Sequence, residues 1–92
     1  MSEDETLQQV NEAIQLLERV SEDTTVPRNI RRAAVNSLAI IRDTEPELSL
    51  AVKANNAIET LDEISQDPNC PAHARTILLQ IMTLLEITDF DY

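Results

Sequence analysis

Three arginines stand close together at positions 28, 31 and 32 of a chain that carries only seven basic residues. Arg28, Arg31 and Arg32 follow a proline that favours the first turn of a helix. The exposed N–H groups of a helix start attract anions, and its dipole disfavours cations unless an anion is near. A guanidinium group also forms paired hydrogen bonds with carboxylate or phosphate. The cluster therefore indicates a site for an anion or an acidic partner.

The same arginines have a purely structural interpretation. Arg31 and Arg75 are 44 residues apart, and each stands eight residues after an aspartate, Asp23 or Asp67. Ion pairs from Arg31 to Asp23 and from Arg75 to Asp67 would brace two turns of the chain. Both interpretations stay open at this point.

A second group of reactive side chains follows a spacing of three residues. Asp67, Cys70 and His73 resemble part of a metal site, but a closed zinc site needs four ligands and no fourth is apparent. Cys70 takes the place of Val26, 44 residues earlier, and His73 that of Asn29, so an apolar filler and a turn residue are the simpler interpretations. His73 is the only histidine, and a Ser-His-Asp arrangement lacks an evident geometry. We expect no metal, no cofactor, no catalytic residues and no enzymatic activity.

Composition excludes several function classes. The chain has no glycine, on which phosphate-binding loops and dinucleotide fingerprints depend. One Phe and one Tyr provide little surface for stacking nucleotide bases, and a formal net charge of −10 repels nucleic acid and anionic membranes. A single cysteine, no leader and no long apolar run predict a cytoplasmic protein without a membrane segment.

The elements that hold these residues repeat along the chain. At an offset of 44 residues, identical residues align, among them Ala13 with Ala57, Ile14 with Ile58, Leu17 with Leu61, Ser21 with Ser65, Asp23 with Asp67, Pro27 with Pro71, and Arg31 with Arg75. The period is typical of HEAT and armadillo repeats, but two units are too few for an open solenoid. We therefore predict an all-α, compact four-helix bundle built from two tandem helix-turn-helix repeats. Repeat one covers about 2–43, repeat two about 44–88, and a tail 89–92, all within a single domain of 1–92.

Capping signals set the helix boundaries. Ser2 begins a capping box for helix one, and Thr25 is the predicted N-cap of helix two, which stops by about Asp43. Residues 44–47 repeat the capping logic for helix three, which is predicted to be the longest. Apolar residues at steps of three and four predict the buried stripes. These are Leu7, Val10, Ile14, Leu17 and Val20; then Val26, Ile30, Ala33, Ala34, Leu38 and Ile41; then Leu50, Ala54, Ala57, Ile58, Leu61 and Ile64; and finally Ala74, Ile77, Leu78, Ile81, Met82 and Leu85.

Helix four has more apolar residues than one buried face requires. We expect Leu79, Met82 and Ile87 to be left exposed and to form a surface through which two copies associate as a homodimer. The alternative is that the tail folds back with Phe90 and Tyr92 over this surface and leaves a monomer.

Residues 23–34, with the sequence DTTVPRNIRRAA, resemble the signature of a small archaeal family, uncharacterised protein family 0147. Residues 61–69, LDEISQDPN, and 71–75, PAHAR, are similar to it as well. The resemblance implies an archaeal, cytosolic, all-helical protein and brings no catalytic or binding residues with it.

Two functional hypotheses remain. The first is a non-enzymatic protein interaction or adaptor module that uses a helical surface, or the arginine cluster, to engage a protein partner. The second is a ribonucleoprotein-associated factor in which Arg28, Arg31 and Arg32 bind RNA phosphate. Salt separates them, because phosphate binding weakens steeply as salt rises.

Overall fold

The computed structural model describes residues 2–44 and 47–87, most of which lie in four helices. Helix α1 spans Glu3–Glu22, α2 spans Arg28–Arg42, α3 spans Leu50–Ser65 and α4 spans Ala72–Leu85. The described residues contain no strand. The predicted all-α fold is confirmed.

The helices form a closed ring. Each helix packs against its neighbours in the chain, and α1 also packs against α4, whereas the diagonal pairs α1 with α3 and α2 with α4 make no close approach in the described part. In an open solenoid the first and last helices would be separated. Closure lets each helix bury one side and leaves its opposite side in water.

The interior is filled from all four helices. Each helix also contributes one alanine without exposed surface, which lets the helices approach closely. The largest fully buried apolar side chains are Leu17, Ile30, Leu61, Leu78, Ile81 and Leu85. Burial of a side chain of this size stabilises the fold by about 1.5–3 kcal/mol. The predicted stripes are largely confirmed, but Leu7 is 47% exposed, and Ile14, Leu50, Ile58, Ile64 and Ile77 are only partly buried against the core.

The start of α1 is confirmed and that of α3 is corrected. The Ser2 hydroxyl accepts the N–H of Glu5 at 3.2 Å, as the capping box predicts. Helix α3 begins at Leu50, because the Ser49 hydroxyl accepts the N–H of Val52 at 3.2 Å and caps it there. Residues 45 and 46, on which the earlier start depended, lie outside the described residues. Helix α1, with 20 residues, is longer than α3, with 16.

Helix α2 begins after Pro27 and not at Thr25. The backbone N–H groups of Ile30 and Arg31 both donate to the Pro27 carbonyl at 3.1 Å. The N–H and hydroxyl of Thr25 instead donate to Asp23 Oδ1 at 2.9 and 2.6 Å. Thr25 therefore closes the preceding turn. The predicted end of α2 is confirmed, since Asp43 is its C-cap.

Candidate functional site

Helix α2 carries four charged residues, and all four are arginines. Two of them, Arg28 and Arg32, are exposed at the N-terminal end and belong to an outward face with Val35 and Ala39. Steps of four, three and four residues bring side chains to one face of a helix. We call these four residues the α2 stripe. Its centre is apolar, because Val35 is 52% exposed.

Arg31 does not belong to the α2 stripe. It is one residue before Arg32, about 100° around the helix, and is half-buried. Its Nε atom is enclosed and has no hydrogen-bond partner among the described residues. The predicted ion pair to Asp23 is absent there, and Arg31 acts on that carboxyl only at longer range. The three sequence neighbours therefore do not form one cluster, and two exposed guanidinium groups remain.

A groove of about 220 Å³ runs between α2 and α3 beside the stripe. Arg32, Asn29 and Asn36 line it from α2, while Thr60 and Glu63 line it from α3. One wall therefore offers a cation and two amides, and the opposite wall offers a carboxylate and the Thr60 hydroxyl oxygen, whose proton is donated to the Asn56 carbonyl at 3.3 Å. Such groups can bind a carboxylate or a peptide backbone. They include no cysteine and no hydroxyl paired with a base, as covalent catalysis would require.

The turns before α2 and α4 have the same internal hydrogen bonds. Asp23 Oδ1 accepts the N–H of Thr25 at 2.9 Å, and Asp67 Oδ1 accepts the N–H of Asn69 at 2.8 Å. Such bonds let an aspartate close a turn without glycine. They agree with the 44-residue offset, while the tandem duplication itself stays a prediction.

The two turns also contact each other. Asn29 Nδ2 donates to Asp67 Oδ2 at 2.9 Å, and His73 Nε2 lies 3.5 Å from the Thr25 hydroxyl. Asn29 and His73 are the residues that the offset pairs. Each reaches the other repeat's turn, so the polar residues at this end hold the two helix pairs together. This contact cannot be predicted from the sequence, because the residue pattern within one turn carries no information about the turn that it meets.

Arg75 braces its turn through carbonyl groups and not through Asp67. Its Nε donates to the Ser65 carbonyl at 3.0 Å and its terminal nitrogen to the Cys70 carbonyl at 3.4 Å. The predicted ion pair with Asp67 is absent from the described structure. Ser65 is the last residue of α3, where carbonyl groups lack partners within the helix, so the guanidinium satisfies one of them.

The remaining candidate residues show no reactive environment. Burial raises the pKa of the Cys70 thiol, which is 5% exposed, so the thiolate that would react or bind metal is disfavoured. Hydrogen bonds from Thr25 lower the pKa of the Asp23 carboxyl. Among the described residues, no three His, Cys, Asp or Glu side chains gather as metal ligands. None of the four described helices combines the length and the apolar character of a membrane crossing.

The predicted self-association residues separate in the structure. Leu79 is 53% exposed, as expected, but Met82 is 7% exposed and lies in the core. Its prediction as a surface residue is wrong, because it is four residues after Leu78 and shares the buried face. Ile87 is partly buried against the core. Residues 88–92, which include the predicted tail, lie outside the described residues.

Comparison with known proteins gives one consistent answer. The family model of the uncharacterised protein family UPF0147 matches residues 1–88. A UPF0147 protein of Aeropyrum pernix is 53% identical over 74 residues, which cover 80% of this chain and 79% of that relative. A UPF0147 protein of Metallosphaera sedula is 51% identical over 45 residues, 49% of this chain and 48% of the relative.

Two solved structures share the fold. The crystal structure of a protein from uncharacterized family UPF0147 of Thermoplasma acidophilum superposes with a TM-score of 0.83 at 37% identity, covering 90% of this chain and 95% of that one. The unknown function protein MMP1188 superposes with a TM-score of 0.81 at 42% identity, covering 88% and 90%.

Proposed function

We propose that this chain, which belongs to the uncharacterised protein family UPF0147, is an interaction module whose α2 stripe and adjoining groove bind an acidic segment of another protein. The membership confirms the resemblance seen in residues 23–34. Because the family is uncharacterised, support for the proposal comes from the surface of this chain. The proposal assigns no reaction to the chain, and a cytoplasmic location stays a prediction.

The observation that carries the proposal is the charge of α2. The whole chain has a formal net charge of −10, yet this helix has four arginines and no acidic residue. Arg42 pairs with Glu18 at 3.3 Å, whereas Arg28 and Arg32 form no ion pair with the described residues. Arg28 is the first residue of α2, where a cation opposes the helix dipole at a cost of about 0.3–1 kcal/mol, and Arg32 lies one turn further along. A bound carboxylate would offset this cost.

A protein segment fits this surface better than RNA does. Arg31 is half-buried, so two exposed arginines remain for RNA phosphate, where the RNA hypothesis invokes three. Val35 adds an apolar contact between the charged and neutral ends of the stripe. Asn29 and Asn36 line the groove, and the Asn36 amide and the Asn29 side-chain carbonyl can form hydrogen bonds with a peptide backbone there, since Asn29 Nδ2 already donates to Asp67.

Affinity purification from the native host tests the proposal. The bait is the full chain as wild type, as the double variant Arg28→Glu with Arg32→Glu, and as the control Arg19→Glu, which reverses an exposed arginine on α1. We expect acidic proteins to bind wild type and the control, with or without nuclease, and to be lost from the double variant. If nuclease removes them from wild type, the protein-partner proposal fails.

Defined probes separate the two hypotheses directly. Fluorescence anisotropy with a glutamate-rich synthetic peptide and with a single-stranded RNA oligonucleotide of equal length measures both affinities on the same chain. We expect the peptide to bind more tightly, and the double variant to weaken its binding at least about tenfold, which is about 1.4 kcal/mol. Tighter binding of the RNA would favour the ribonucleoprotein hypothesis.

A further inference from the structure

The outward face of α4 differs from that of every other helix. Ala72, Thr76, Leu79 and Thr83 are all exposed and follow the same steps of four, three and four residues as the α2 stripe. We call them the α4 stripe. Leu79, at 53% exposure, is its largest apolar side chain.

The two threonines make this face more apolar than the sequence indicates. The Thr76 hydroxyl donates to the Ala72 carbonyl at 3.1 Å, and the Thr83 hydroxyl donates to the Leu79 carbonyl at 3.0 Å. Each hydroxyl proton is thus used within the helix. The two hydroxyl groups therefore need no hydrogen-bond acceptor from water or from a partner.

Charge limits which face could meet its own copy. Two chains of net charge −10 repel each other, and a two-fold interface places the same surface patch on both sides. Exposed charges occupy the outer faces of the other three helices: Glu12, Glu18 and Arg19 on α1, Arg28 and Arg32 on α2, and Glu59, Asp62 and Glu63 on α3. Within α4 the one formal charge is Arg75, which is held by the Ser65 and Cys70 carbonyls, and the exposed Glu86 follows as the C-cap of the helix, one turn beyond Thr83. Two copies of the α4 stripe can therefore meet without repulsion between charges of the stripe. Interface centres in general contain few charged residues.

From these observations we infer that the α4 stripe is a self-association surface and that its occupant is a second copy of this chain. Leu79 is the apolar anchor, and Ala72, Thr76 and Thr83 let the two helices approach closely. In this inference, these three residues take the place of Met82, which is buried, and of Ile87, which is partly buried, in the surface predicted from the sequence. The inference does not rest on the proposed function, because the α2 stripe lies on a different helix, which is diagonal to α4 and makes no close approach to it.

Sedimentation equilibrium of the full chain tests the inference, at about 1 to 100 μM and near pH 7. We expect wild type to reach twice the chain mass of 10.3 kDa. Leu79→Glu should raise the dissociation constant at least about tenfold, because it places two like charges at the contact. A wild-type monomer throughout this range overturns the inference.

Val35→Glu is the matched control. Val35 is 52% exposed and holds the position in the α2 stripe that Leu79 holds in the α4 stripe, so the same charge is added at equal exposure. We expect this variant to dimerise like wild type and both variants to keep the wild-type helical circular dichroism. Equal weakening by both substitutions would show an effect of net charge and overturn the assignment to α4.

The salt dependence of the dissociation constant is a second test, and a purely structural role of Leu79 would not affect it. Added salt screens the repulsion between two acidic chains, so the dissociation constant should fall as NaCl rises from about 50 to 500 mM. An interface formed by opposite charges would weaken over the same range. A dissociation constant that rises with salt therefore contradicts a neutral contact surface.

Discussion

Replacement of Arg75 by alanine should destabilise the fold although the residue is exposed. The change removes two hydrogen bonds from a guanidinium, to the Ser65 carbonyl at 3.0 Å and the Cys70 carbonyl at 3.4 Å. It also removes a cation from the C-terminal end of α3, where the dipole favours one. Hydrogen bonds to charged groups contribute about 1.5–3 kcal/mol each. Because one bond is long and the side chain is exposed, we expect about 1.5–2 kcal/mol for both together.

Thermal denaturation followed by circular dichroism measures this loss. A domain of about this size loses roughly 4–8 °C of Tm per kcal/mol, so Arg75→Ala should lower Tm by about 6–16 °C. Arg28→Ala is the surface control and should stay within about 0.5 kcal/mol of wild type. Arg75→Lys should recover part of the loss, because a single ammonium cannot reproduce the planar fork that reaches both carbonyls.

The variant Arg31→Ala distinguishes the effect of an arginine at this position from the effect of its hydrogen bonds. Arg31 holds the equivalent place near the start of α2, but its Nε has no partner among the described residues. Arg31→Ala should therefore lower the free energy of unfolding by less than Arg75→Ala does.

Equal losses of stability in Arg75→Ala and Arg28→Ala would refute the reasoning, since they would show that the carbonyl contacts add nothing to stability.

Three further predictions concern single side chains. The Cys70 thiol should react with a disulfide reagent at least about 100-fold more slowly in the native chain than in urea, as quenched reaction kinetics would show; fast native labelling contradicts its burial. Ser37→Ala should raise the free energy of unfolding in urea by about 1 kcal/mol, because the buried hydroxyl has no partner among the described residues; a loss of that size would reveal a hydrogen bond. The lowered pKa of Asp23 stabilises the fold above the unfolded value of 3.8, and this contribution is lost as pH falls through the folded value. In melts below about pH 4, Asp23→Asn should therefore lose less Tm than wild type, and an equal loss in both proteins would contradict the lowered pKa of Asp23.

Helix existence and most buried positions follow from the sequence because they depend on local periodicity. A side chain that recurs at steps of three and four must share a face, and burial of that face drives folding. Leu7 breaks the rule because it lies in the second turn of α1, about 100° around the helix from the buried Thr6. The periodic pattern alone does not distinguish this edge position from a core position.

Helix starts were less predictable where several capping residues compete. Thr25 has the chemistry of an N-cap, but the Asp23 carboxylate bonds its N–H and hydroxyl first and turns the chain before α2 begins. Ser49 likewise caps α3 several residues after the predicted start. Only the relative energies of these hydrogen bonds decide the boundary, and a sequence lists the donors without ranking them.

The composition of the candidate sites depends on the angle at which each side chain leaves its helix, and neighbouring residues in the sequence differ in this angle by about 100°. Arg31 and Arg32 are neighbours in the chain, yet one is half-buried with an enclosed Nε and the other is exposed on the α2 stripe. The signal that could have found both stripes was available, because the predicted buried residues of α2 and α4 already fix the opposite faces. The contact from Asn29 to Asp67 had no such signal, since it arises only when the two turns meet.

The α2 and α4 stripes lie on opposite sides of the ring of helices, so both could be used at the same time. They hold the same positions in α2 and α4, which are diagonal in the ring, so the outward faces of these helices point away from each other. The α2 stripe is cationic and would repel its own copy, whereas the α4 stripe is neutral and would not. Pairing through α4 would therefore leave both α2 surfaces free, and the dimer would present two cationic sites. Two linked sites bind a partner with repeated acidic segments far more tightly than one site does, so a dimer formed through α4 would strengthen the proposed binding through α2.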